Sequence, residues 1–462
     1  MLGAAGSSRV VPESSKGELS DGKGVDRRWL IFGIVLCALA LTALVGLQYL
    51  MPRRIDSAWG LNYAGVRHFQ RQLLSFDTPQ LTSRAFAIWF RSLTALAWVG
   101  YGLAVTAGLR GARVRPAIIL AVSIPLSIVL AVIWPASLSS DVYAYLAHGR
   151  MDAMYGANPY TELPDVLRRH GDPVADFLHW NLPCVYGPIW TMLPVIIVRI
   201  FHTWGLWWQV IAMKLVQAAA LAGLALAGRA IAERTAAHRG DLTLLALALN
   251  PLFLIEGPGN GHNDVLMMAL FLCAALFFIK SRYVVGSSVV GLSAGIKFVT
   301  LAALPWMFIQ YMRGRRMREV GAASLGGLLL AIGVLAVGYI RFWEGISTLT
   351  GAYARWAWDR KPSAETDESL IAGYWPLVLL LVIFVLLTVW VWQRKKTGIT
   401  WPAAWAILAV SFVLLVMPMW PPWFFIWPLA ASLTQWDKLH TRLSLVSSAA
   451  AFTLTLLYVY PG

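Results

Sequence analysis

The chain has 462 residues, of which 58% are hydrophobic and only 13% charged, and its formal net charge is +15. Soluble domains carry about 25% charged residues, so this composition excludes an ordinary water-soluble protein. The basic residues fall in short loops between apolar runs, which is typical of the positive-inside bias of membrane proteins. They do not predict a nucleic-acid partner.

The polar N-terminal stretch, residues 1–28, is predicted to be a disordered cytoplasmic segment. It is too long and too polar for the first region of a cleaved signal peptide, so the apolar run at 29–50 is expected to remain as a membrane span. We expect residues 29–460 to form a single integral-membrane domain.

Four loops rich in arginine and lysine predict the cytoplasmic ends of the spans, and they lie at 110–115, 229–239, 313–318 and 394–396. Threading the apolar runs between these loops predicts an all-α polytopic protein with about thirteen transmembrane helices, within a range of about 11–14. The apolar stretch at 185–201 is expected not to cross, because orientation allows only one crossing before the second basic loop.

The same threading assigns regions to the outer face. The run at 283–312 starts and ends at basic loops, so it is expected to turn near residues 295–297 at that face. Two outer regions follow, at 136–203 and 341–371. We expect the first to contain juxtamembrane helices and the catalytic residues.

Asp141 comes directly after an outward span, and Ser139 or Ser140 is a suitable cap for a helix over 141–155. On that helix Asp141, His148 and Asp152 share one face and apolar residues the other. The pattern predicts an amphipathic helix along the membrane surface. The alternative is a capped surface helix whose acids only face water.

A glycine-rich turn at 256–264 joins two spans and carries Glu256, His262, Asn263 and Asp264. A helix cap needs only one such residue, which favours a functional cluster over a simple cap. No strand precedes the turn and no Gly-Lys-Ser follows it, so it is not a phosphate-binding loop of the dinucleotide or P-loop type.

Lys297 is a lone cation in the apolar run at 283–312. Charges buried in a membrane are costly and are usually functional or paired, although a lysine can also extend to a lipid headgroup. A carboxylate, a His-Asn-Asp cluster and a lysine at one outer level favour transfer of a sugar from a lipid phosphate to a hydroxyl. That reaction needs a base for the acceptor and cations for the departing phosphate.

Six motifs within about residues 135–310 carry a resemblance to a known family, and they are Ser140-Asp141-Val142-Tyr143, Asn158-Pro159-Tyr160, Tyr186-Gly187-Pro188, Asn250-Pro251, Gly261-His262-Asn263-Asp264 and Ala294-Gly295-Ile296-Lys297. In their order and spacing the chain resembles the GT-C superfamily of membrane glycosyltransferases. It is most similar to the actinobacterial polyprenol-phosphate-mannose-dependent α-1,6-mannosyltransferases. The C-terminal third resembles them only as a set of spans.

The resemblance implies an inverting hexosyltransferase of the bacterial plasma membrane, with its active site on the extracytoplasmic side. Asp141 would be the general base. The resemblance alone implies that the sugar is mannose. Residues expected to bind the donor phosphate or its sugar are Lys297, His262, Asn263, Asp264, Glu256, Tyr143 and Tyr186. The expected partners are a polyprenyl-phosphate sugar donor, a glycan or glycolipid acceptor and membrane lipids, and neither a cofactor nor a metal is expected.

Two alternatives remain open at the level of the sequence. A transporter or flippase for lipid-linked sugars would need charged residues near the middle of the bilayer, where Arg91 is the main candidate. A metal site in an intramembrane hydrolase would draw on the histidines and acids of the first outer region, which are His148, His170, Asp172, Asp176 and His179. Their spacing does not match a His-Glu-x-x-His helix.

Overall fold

A computed structural model describes residues 14–53, 61–74, 78–178, 181–236, 239–312, 317–349, 368–393, 400–417 and 420–459. Within these ranges the regular structure is helical and no strand occurs, which confirms the all-α prediction. A helix bonds every backbone N–H and C=O group within one segment, as an apolar environment demands. Most of the expected outer loop at 341–371 lies outside the described residues.

The N-terminal part of the chain forms four helices: α1 (Ser14–Gln48), α2 (Tyr63–Leu73), α3 (Ser83–Leu109) and α4 (Pro116–Ile133). Helix α1 begins inside the stretch 1–28 for which the sequence predicts disorder. Its residues 14–28 continue the first apolar helix, because extending an existing helix costs far less than starting one. Residues 1–13 lie outside the described part of the chain.

Helices α1 and α3 pack closely through two glycines. A Cβ atom on Gly100 would lie 2.6 Å from the backbone nitrogen of Cys37, and one on Gly33 would lie 2.5 Å from the carbonyl oxygen of Gly100. Small residues allow helix backbones in a membrane to approach until dispersion contacts hold them together. This pair fixes the N-terminal side of the bundle.

Four further helices follow: α5 (Asp141–Tyr155), α6 (Asp165–Arg169), α7 (Pro188–Ile200) and α8 (Leu206–Thr235), with a 3-10 turn (Pro173–Phe177) after α6. The prediction that α5 has an exposed polar face opposite an apolar one is wrong, since its residues from Val142 to Met151 are all buried; its position along the membrane surface stays a prediction. Helix α7 covers the expected polar side. A Cβ on Gly149 of α5 would lie only 2.6 Å from the backbone of Pro194 in α7.

Helix α7 has 13 residues and is therefore about 20 Å long. That length is short of the roughly 30 Å of a bilayer core. The expectation that the stretch 185–201 does not cross stays a prediction.

The central part of the chain is broken into short helices. It comprises α9 (Gly240–Ala248), α10 (Pro251–Leu254), a π-helical turn (Ile255–Gly259), α11 (Asp264–Ile279) and α12 (Tyr283–Ala294). Because α12 ends at Ala294, the chain turns at 295–297 as predicted. Helix α11 packs between α8 and α12 in the middle of the bundle.

The remaining helices pack back onto the earlier ones. They are α13 (Leu304–Met312) after a 3-10 turn (Phe298–Ala303), α14 (Met317–Tyr339) leading into a 3-10 turn (Ile340–Phe342), α15 (Glu368–Gln393), α16 (Trp401–Val416), a 3-10 turn (Pro422–Phe425), α17 (Ile426–Ser432) and α18 (Lys438–Leu456). Helix α17 contacts α11, and α18 contacts α3. The C-terminal part thereby closes one side of the central helices.

Among the described residues, 6 helices are long and apolar enough to cross a membrane: Asp26–Gln48, Ser83–Leu109, Pro116–Ile133, Leu206–Thr235, Gly321–Phe342 and Trp375–Gln393. Helices α9 and α10 with the following turn are bent by 48° and count as a seventh if they form one broken span. The predicted count of about thirteen is not confirmed. Several apolar runs that the sequence presents as spans are interrupted by proline and glycine and form helices too short to meet that test.

The first two basic loops and Asp141 lie at opposite ends of α4. Arg113 and Arg239, from the first two basic loops, line one cavity together with Leu30 near the start of the first span. Helix α4 leaves this end at Pro116, and its 18 residues carry the chain about 27 Å away, just before Asp141.

We expect Gly100→Ala to destabilise the protein by about 1–3 kcal/mol, because its Cβ would overlap the backbone of α1. Gly102→Ala is the matched control on the same helix, since nothing lies within 4 Å of a Cβ placed there. The measurement is the thermal unfolding midpoint of both variants in the same detergent. Equal midpoints would contradict the close glycine contact.

Candidate functional site

Asp141 begins helix α5 and faces an open space. Its backbone N–H donates to Ser139 Oγ at 3.1 Å, so Ser139 rather than Ser140 makes the side-chain contact at this helix start. The carboxylate is 23% exposed and accepts a hydrogen bond from the Tyr145 hydroxyl, with Oδ2 3.3 Å from the hydroxyl oxygen. A negative charge in the first turn of a helix is stabilised by the helix dipole.

The π-helical turn brings His262 back over Glu256. The backbone N–H of Asn260 donates to the carbonyl of Ile255, and that of His262 donates to the carbonyl of Glu256. Gly261 lies between them at a φ of 82°, a left-handed conformation that glycine adopts without strain. The glycines of this segment therefore allow the backbone to turn, and Glu256 and His262 carry its ionisable side chains.

His262 lies between two carboxylates. Its Nδ1 is 3.4 Å from Asp141 Oδ2, and its Nε2 is 3.4 Å from Glu256 Oε2. The imidazole is fully buried and stacks on the Trp423 indole, with ring centroids 4.0 Å apart and planes 18° apart. Glu256 also accepts from the Tyr458 hydroxyl at 2.9 Å and from the Asn260 amide at 3.1 Å.

Lys297 and Asp264 form an ion pair next to this triad. Lys297 Nζ is 2.6 Å from Asp264 Oδ1, the Asp264 side chain is fully buried and the Lys297 side chain is 16% exposed. Trp427 Nε1 donates to the same carboxylate oxygen at 2.5 Å. The ammonium also lies 5.2 Å from the Phe424 ring centroid and 5.9 Å from that of Tyr186, within range of cation–π attraction.

Two glycines hold Lys297 in position. The backbone N–H of Gly187 donates to the carbonyl of Ile296 at 3.0 Å, and that of Trp190 donates to the carbonyl of Gly295 at 3.0 Å. A Cβ on Gly187 would lie 2.4 Å from the Gly295 carbonyl oxygen. The Tyr-Gly-Pro motif and the Ala-Gly-Ile-Lys motif are thus joined by backbone hydrogen bonds, and Lys297 lies beside Tyr186.

The Asn-Pro-Tyr motif supports this junction from behind. The Tyr160 hydroxyl donates to the Tyr186 carbonyl at 2.9 Å and lies 2.8 Å from the Thr191 hydroxyl. Asn158 donates to the carbonyl of Phe342 at 2.8 Å. This motif positions other residues instead of facing the open space.

Asp141, Tyr186 and Lys297 line one cavity of about 480 Å³. Its other walls are apolar or aromatic and come from the segment before α7, the start of the 3-10 turn after Lys297, α16 and the 421–427 segment. A carboxylate and an ammonium in an otherwise apolar cavity can bind a ligand that carries an anionic group, a hydroxyl and a hydrocarbon portion.

The electrostatic surroundings of Asp141 favour its ionised form. Burial acts to raise the pKa of the Asp141 carboxyl, but His262 and Lys297 oppose it, and the resulting pKa lies below its usual value. Burial lowers the pKa of the His262 imidazole, while Asp141 and Glu256 raise it, so that it lies above its usual value. Asp141 therefore remains a carboxylate, able to accept a proton, down to acidic pH.

Several predicted site residues have other surroundings. Tyr143 does not line the cavity: its ring stacks on Phe177 with centroids 4.2 Å apart. Asn263 is fully buried, and its amide atoms have no hydrogen-bond partner among the described residues, as is also true of Asp264 Oδ2. Water or a bound ligand would satisfy such atoms.

Asp172, a candidate for the alternative metal site, is bound to other side chains. Arg150 Nε donates a bifurcated hydrogen bond to both carboxylate oxygens of Asp172, at 2.9 Å each, and the Tyr155 hydroxyl also donates to Asp172. His179 lies outside the described residues. Within the described part of the chain, no group of three or more His, Cys, Asp or Glu side chains has a geometry that could hold a metal ion.

Sequence reasoning missed the contributions of the C-terminal part and of α8. Trp423, Trp427 and Tyr458 each contact a polar residue of the cluster. Lys214 of α8 is fully buried and donates to the carbonyl of Trp134, which in turn donates from its indole to Asn260. Lys214 could have been identified from the sequence, because it is a lysine within an apolar run. The tryptophans could not, because their pattern is also typical of an interfacial aromatic belt.

Comparison with known proteins adds an independent finding. The family model described as "Alpha-(1->6)-mannopyranosyltransferase, N-terminal domain" matches residues 58–313, more than half of the chain. The chain is 28% identical over 377 residues to alpha-(1->6)-mannopyranosyltransferase A of Mycobacterium tuberculosis, covering 73% of this chain and 68% of that protein.

A second relative is the protein of the same name from Corynebacterium glutamicum. It is 30% identical over 185 residues, which are 38% of this chain and 36% of that protein. No solved structure matches the chain. The family match includes Asp141, the 256–264 turn and Lys297, and it ends before the C-terminal aromatic residues.

We expect Lys297→Met to destabilise the protein by about 3 kcal/mol, because it leaves the buried Asp264 carboxylate without its cation. Adding Asp264→Asn should recover much of that loss. Lys280→Met, which changes an exposed lysine at the other end of α11, is the control and should have little effect. Thermal unfolding of the wild type, Lys297→Met, Asp264→Asn and the double variant gives the coupling, and additive effects of the two site substitutions would contradict the pairing.

Proposed function

The chain belongs to the alpha-(1->6)-mannopyranosyltransferase family, and from that premise we propose that it transfers mannose from a polyprenyl-phosphate donor to a hydroxyl of a glycan or glycolipid acceptor. Membership makes it a mannosyltransferase of the membrane GT-C type. The observation that carries the proposal is the cavity in which Asp141 and Lys297, 156 positions apart in sequence, line an otherwise apolar space.

Asp141 is the general base of the proposed reaction. Its carboxylate takes the proton of the acceptor hydroxyl, whose oxygen bonds to the anomeric carbon as the bond from that carbon to the phosphate oxygen breaks. The products are the mannosylated acceptor, with inverted anomeric configuration, and polyprenyl phosphate. A positioned base of this kind contributes about 10²–10⁴-fold to the rate.

Lys297 neutralises the phosphate of the donor and then of the leaving group. A phosphate monoester or diester needs a nearby cation as negative charge develops on its bridging oxygen, and an ammonium provides one without a metal. The pair with Asp264 keeps the ammonium charged and aimed, and it leaves part of the lysine exposed to the cavity. The apolar walls suit the first isoprene units of the lipid.

The sugar lies between these two groups. Asn263 and Asp264 Oδ2 carry the buried polar atoms that still need partners, and mannose hydroxyls or waters that bridge to them would supply these. Tyr186 contributes an aromatic wall, against which the less polar face of a sugar ring can pack. Tyr143 has a supporting role beneath α5.

We place the site at the extracytoplasmic face of the bacterial plasma membrane. Support comes from α4, which separates Asp141 from the end of the bundle where Arg113 and Arg239 lie. About thirteen crossings remain our proposal, with the broken helices counted among them. The donor enters from the outer leaflet.

The transporter alternative is less well supported. Arg91, the cation that it would place within a span, donates to the carbonyls of Leu456 at 3.2 Å and Val459 at 2.7 Å. It therefore satisfies backbone groups at the end of α18.

We expect Asp141→Asn to reduce mannosyl transfer at least about a hundredfold while the protein still binds the donor, because the amide cannot accept the proton. Asp165→Asn, on exposed α6, is the matched control and should retain activity, since its ion pair with Arg168 lies at the surface. The assay follows the product of purified protein and a polyprenyl-phosphate mannose donor by mass spectrometry. Near-normal transfer by Asp141→Asn would show that Asp141 is not the general base.

Transfer should continue in excess EDTA, because Lys297 supplies the charge that a divalent cation would otherwise supply to the phosphate. The measurement is the initial rate before and after chelation, with added Mg²⁺ or Mn²⁺ as the reverse test. A loss of activity in EDTA that either ion restores would show that the reaction needs a metal.

A further inference from the structure

His262 lies between two acidic side chains. Its two ring nitrogens are each 3.4 Å from a carboxylate oxygen, on opposite sides of the ring. These are ion-pair distances, and neither nitrogen has a hydrogen-bond partner among the described residues. With both carboxylates ionised, a neutral imidazole, which has one N–H and one lone pair, would turn its lone pair toward one of them. An imidazolium carries positive charge on both sides.

The ring stack supports the same charge state. Trp423 covers one face of the imidazole at a centroid distance of 4.0 Å, and an indole face attracts a cation more strongly than a neutral ring. Since His262 is fully buried under this indole and does not line the cavity, it is poorly placed to contact a donor phosphate.

Charge balance also requires a cation between Asp141 and Glu256. The Asp264 carboxylate is already paired with Lys297. Titratable or charged groups from every element around His262 are Asp141 and Tyr145 on α5, Lys214 on α8, Glu256 in the π-helical turn, Asp264 on α11, Lys297 after α12 and Tyr458 after α18. Lys214 binds the carbonyl of Trp134. Two neighbouring buried carboxylates without a cation would be strongly unfavourable.

We propose that His262 is an imidazolium bridging Asp141 and Glu256, and that Glu256 is a positioning residue which holds it in that state. The inference rests on the proposed role of Asp141 as the general base. Through His262, Glu256 keeps Asp141 ionised and fixes the direction of its carboxylate. His262 and Glu256 thereby act on the base instead of binding the donor.

The sign of the pH dependence follows from this arrangement. Replacing Glu256 by glutamine removes one of the two carboxylates that raise the pKa of His262, so that pKa falls. Once His262 loses its proton, Asp141 loses a neighbouring positive charge and its pKa rises. The acidic limb of the kcat profile therefore moves to higher pH in Glu256→Gln, and the alkaline limb moves to lower pH.

The first experiment reads the charge of His262 directly and needs no turnover. The full-length protein, labelled at histidine with ¹³C and ¹⁵N, is titrated in nanodiscs while the imidazole shifts are recorded, and the His262→Asn variant assigns the signal. The expected result is an imidazolium at pH 7. A neutral His262 at pH 7 would overturn the proposal, whether or not the protein transfers mannose.

The second experiment compares kinetics in Glu256→Gln, Tyr458→Phe and Glu233→Gln. Glu256→Gln should lower kcat at neutral pH about tenfold or more and narrow the pH profile, while the KM for the donor changes less than about twofold. Tyr458→Phe removes one donor to Glu256, which makes that carboxyl easier to protonate, so its shift should be smaller than that of Glu256→Gln and in the same direction. Glu233→Gln changes a partly exposed ion pair at the other end of α8 and is the matched control.

Each outcome has a separate meaning. A raised donor KM with an unchanged pH profile in Glu256→Gln would indicate that His262 and Glu256 bind the donor, and it would overturn the positioning role. If Glu256→Gln does not fold, the wild-type titration and Tyr458→Phe still decide the matter. An imidazolium in a protein that transfers no mannose would reject the proposed function and leave the charge state of His262 established.

Discussion

Burying three carboxylates inside an apolar helix bundle is the constraint on which the rest of the site depends. Asp264 and Glu256 are fully buried, and Asp141 is mostly so. A buried anion without compensation costs several kcal/mol, so each carboxylate needs a cation or several donors. Lys297 and Trp427 contact the Asp264 carboxylate, and Tyr458 and Asn260 donate hydrogen bonds to Glu256. His262 lies between Asp141 and Glu256.

The same constraint explains why the site lies where helices are broken. Irregular backbone is tolerated in a membrane protein only where protein or a cavity surrounds it. The π-helical turn before His262 and the turn at 295–297 both meet this condition, since their residues pack against α5 and the segment before α7. The turn at 295–297 places Lys297 at the cavity, and the π-helical turn places His262 and Glu256 behind Asp141.

The C-terminal part of the chain completes a site whose charged residues come from the middle of the sequence. It contributes aromatic rings and single hydrogen-bond donors: Trp423 under His262, Trp427 to Asp264 and Tyr458 to Glu256. All three lie beyond the residues that the family model matches. The charged residues of the site therefore lie in the matched region, and the residues that enclose them lie outside it.

Sequence reasoning predicted the helical class, the turn at 295–297 and the grouping of Asp141, the 262–264 cluster and Lys297. Each rests on a local signal, because a charge or a glycine-rich turn between apolar runs has few places to lie. The exposed polar face of α5 was predicted wrongly. A period of 3.6 residues shows which side chains share a face, but it does not show whether another helix such as α7 covers that face.

The sequence by itself determined that this is an all-helical membrane protein and that Lys297 is a charge in need of a function or a partner, since apolar length and the cost of buried charge are properties of the residues alone. Only the tertiary structure decided the partners. Lys297 meets Asp264 because Gly187 and Gly295 bring two backbones together, and His262 meets two carboxylates because the π-helical turn folds back on itself. Such pairings require that segments far apart in the chain be positioned to within a few tenths of an ångström, and no local sequence pattern encodes that.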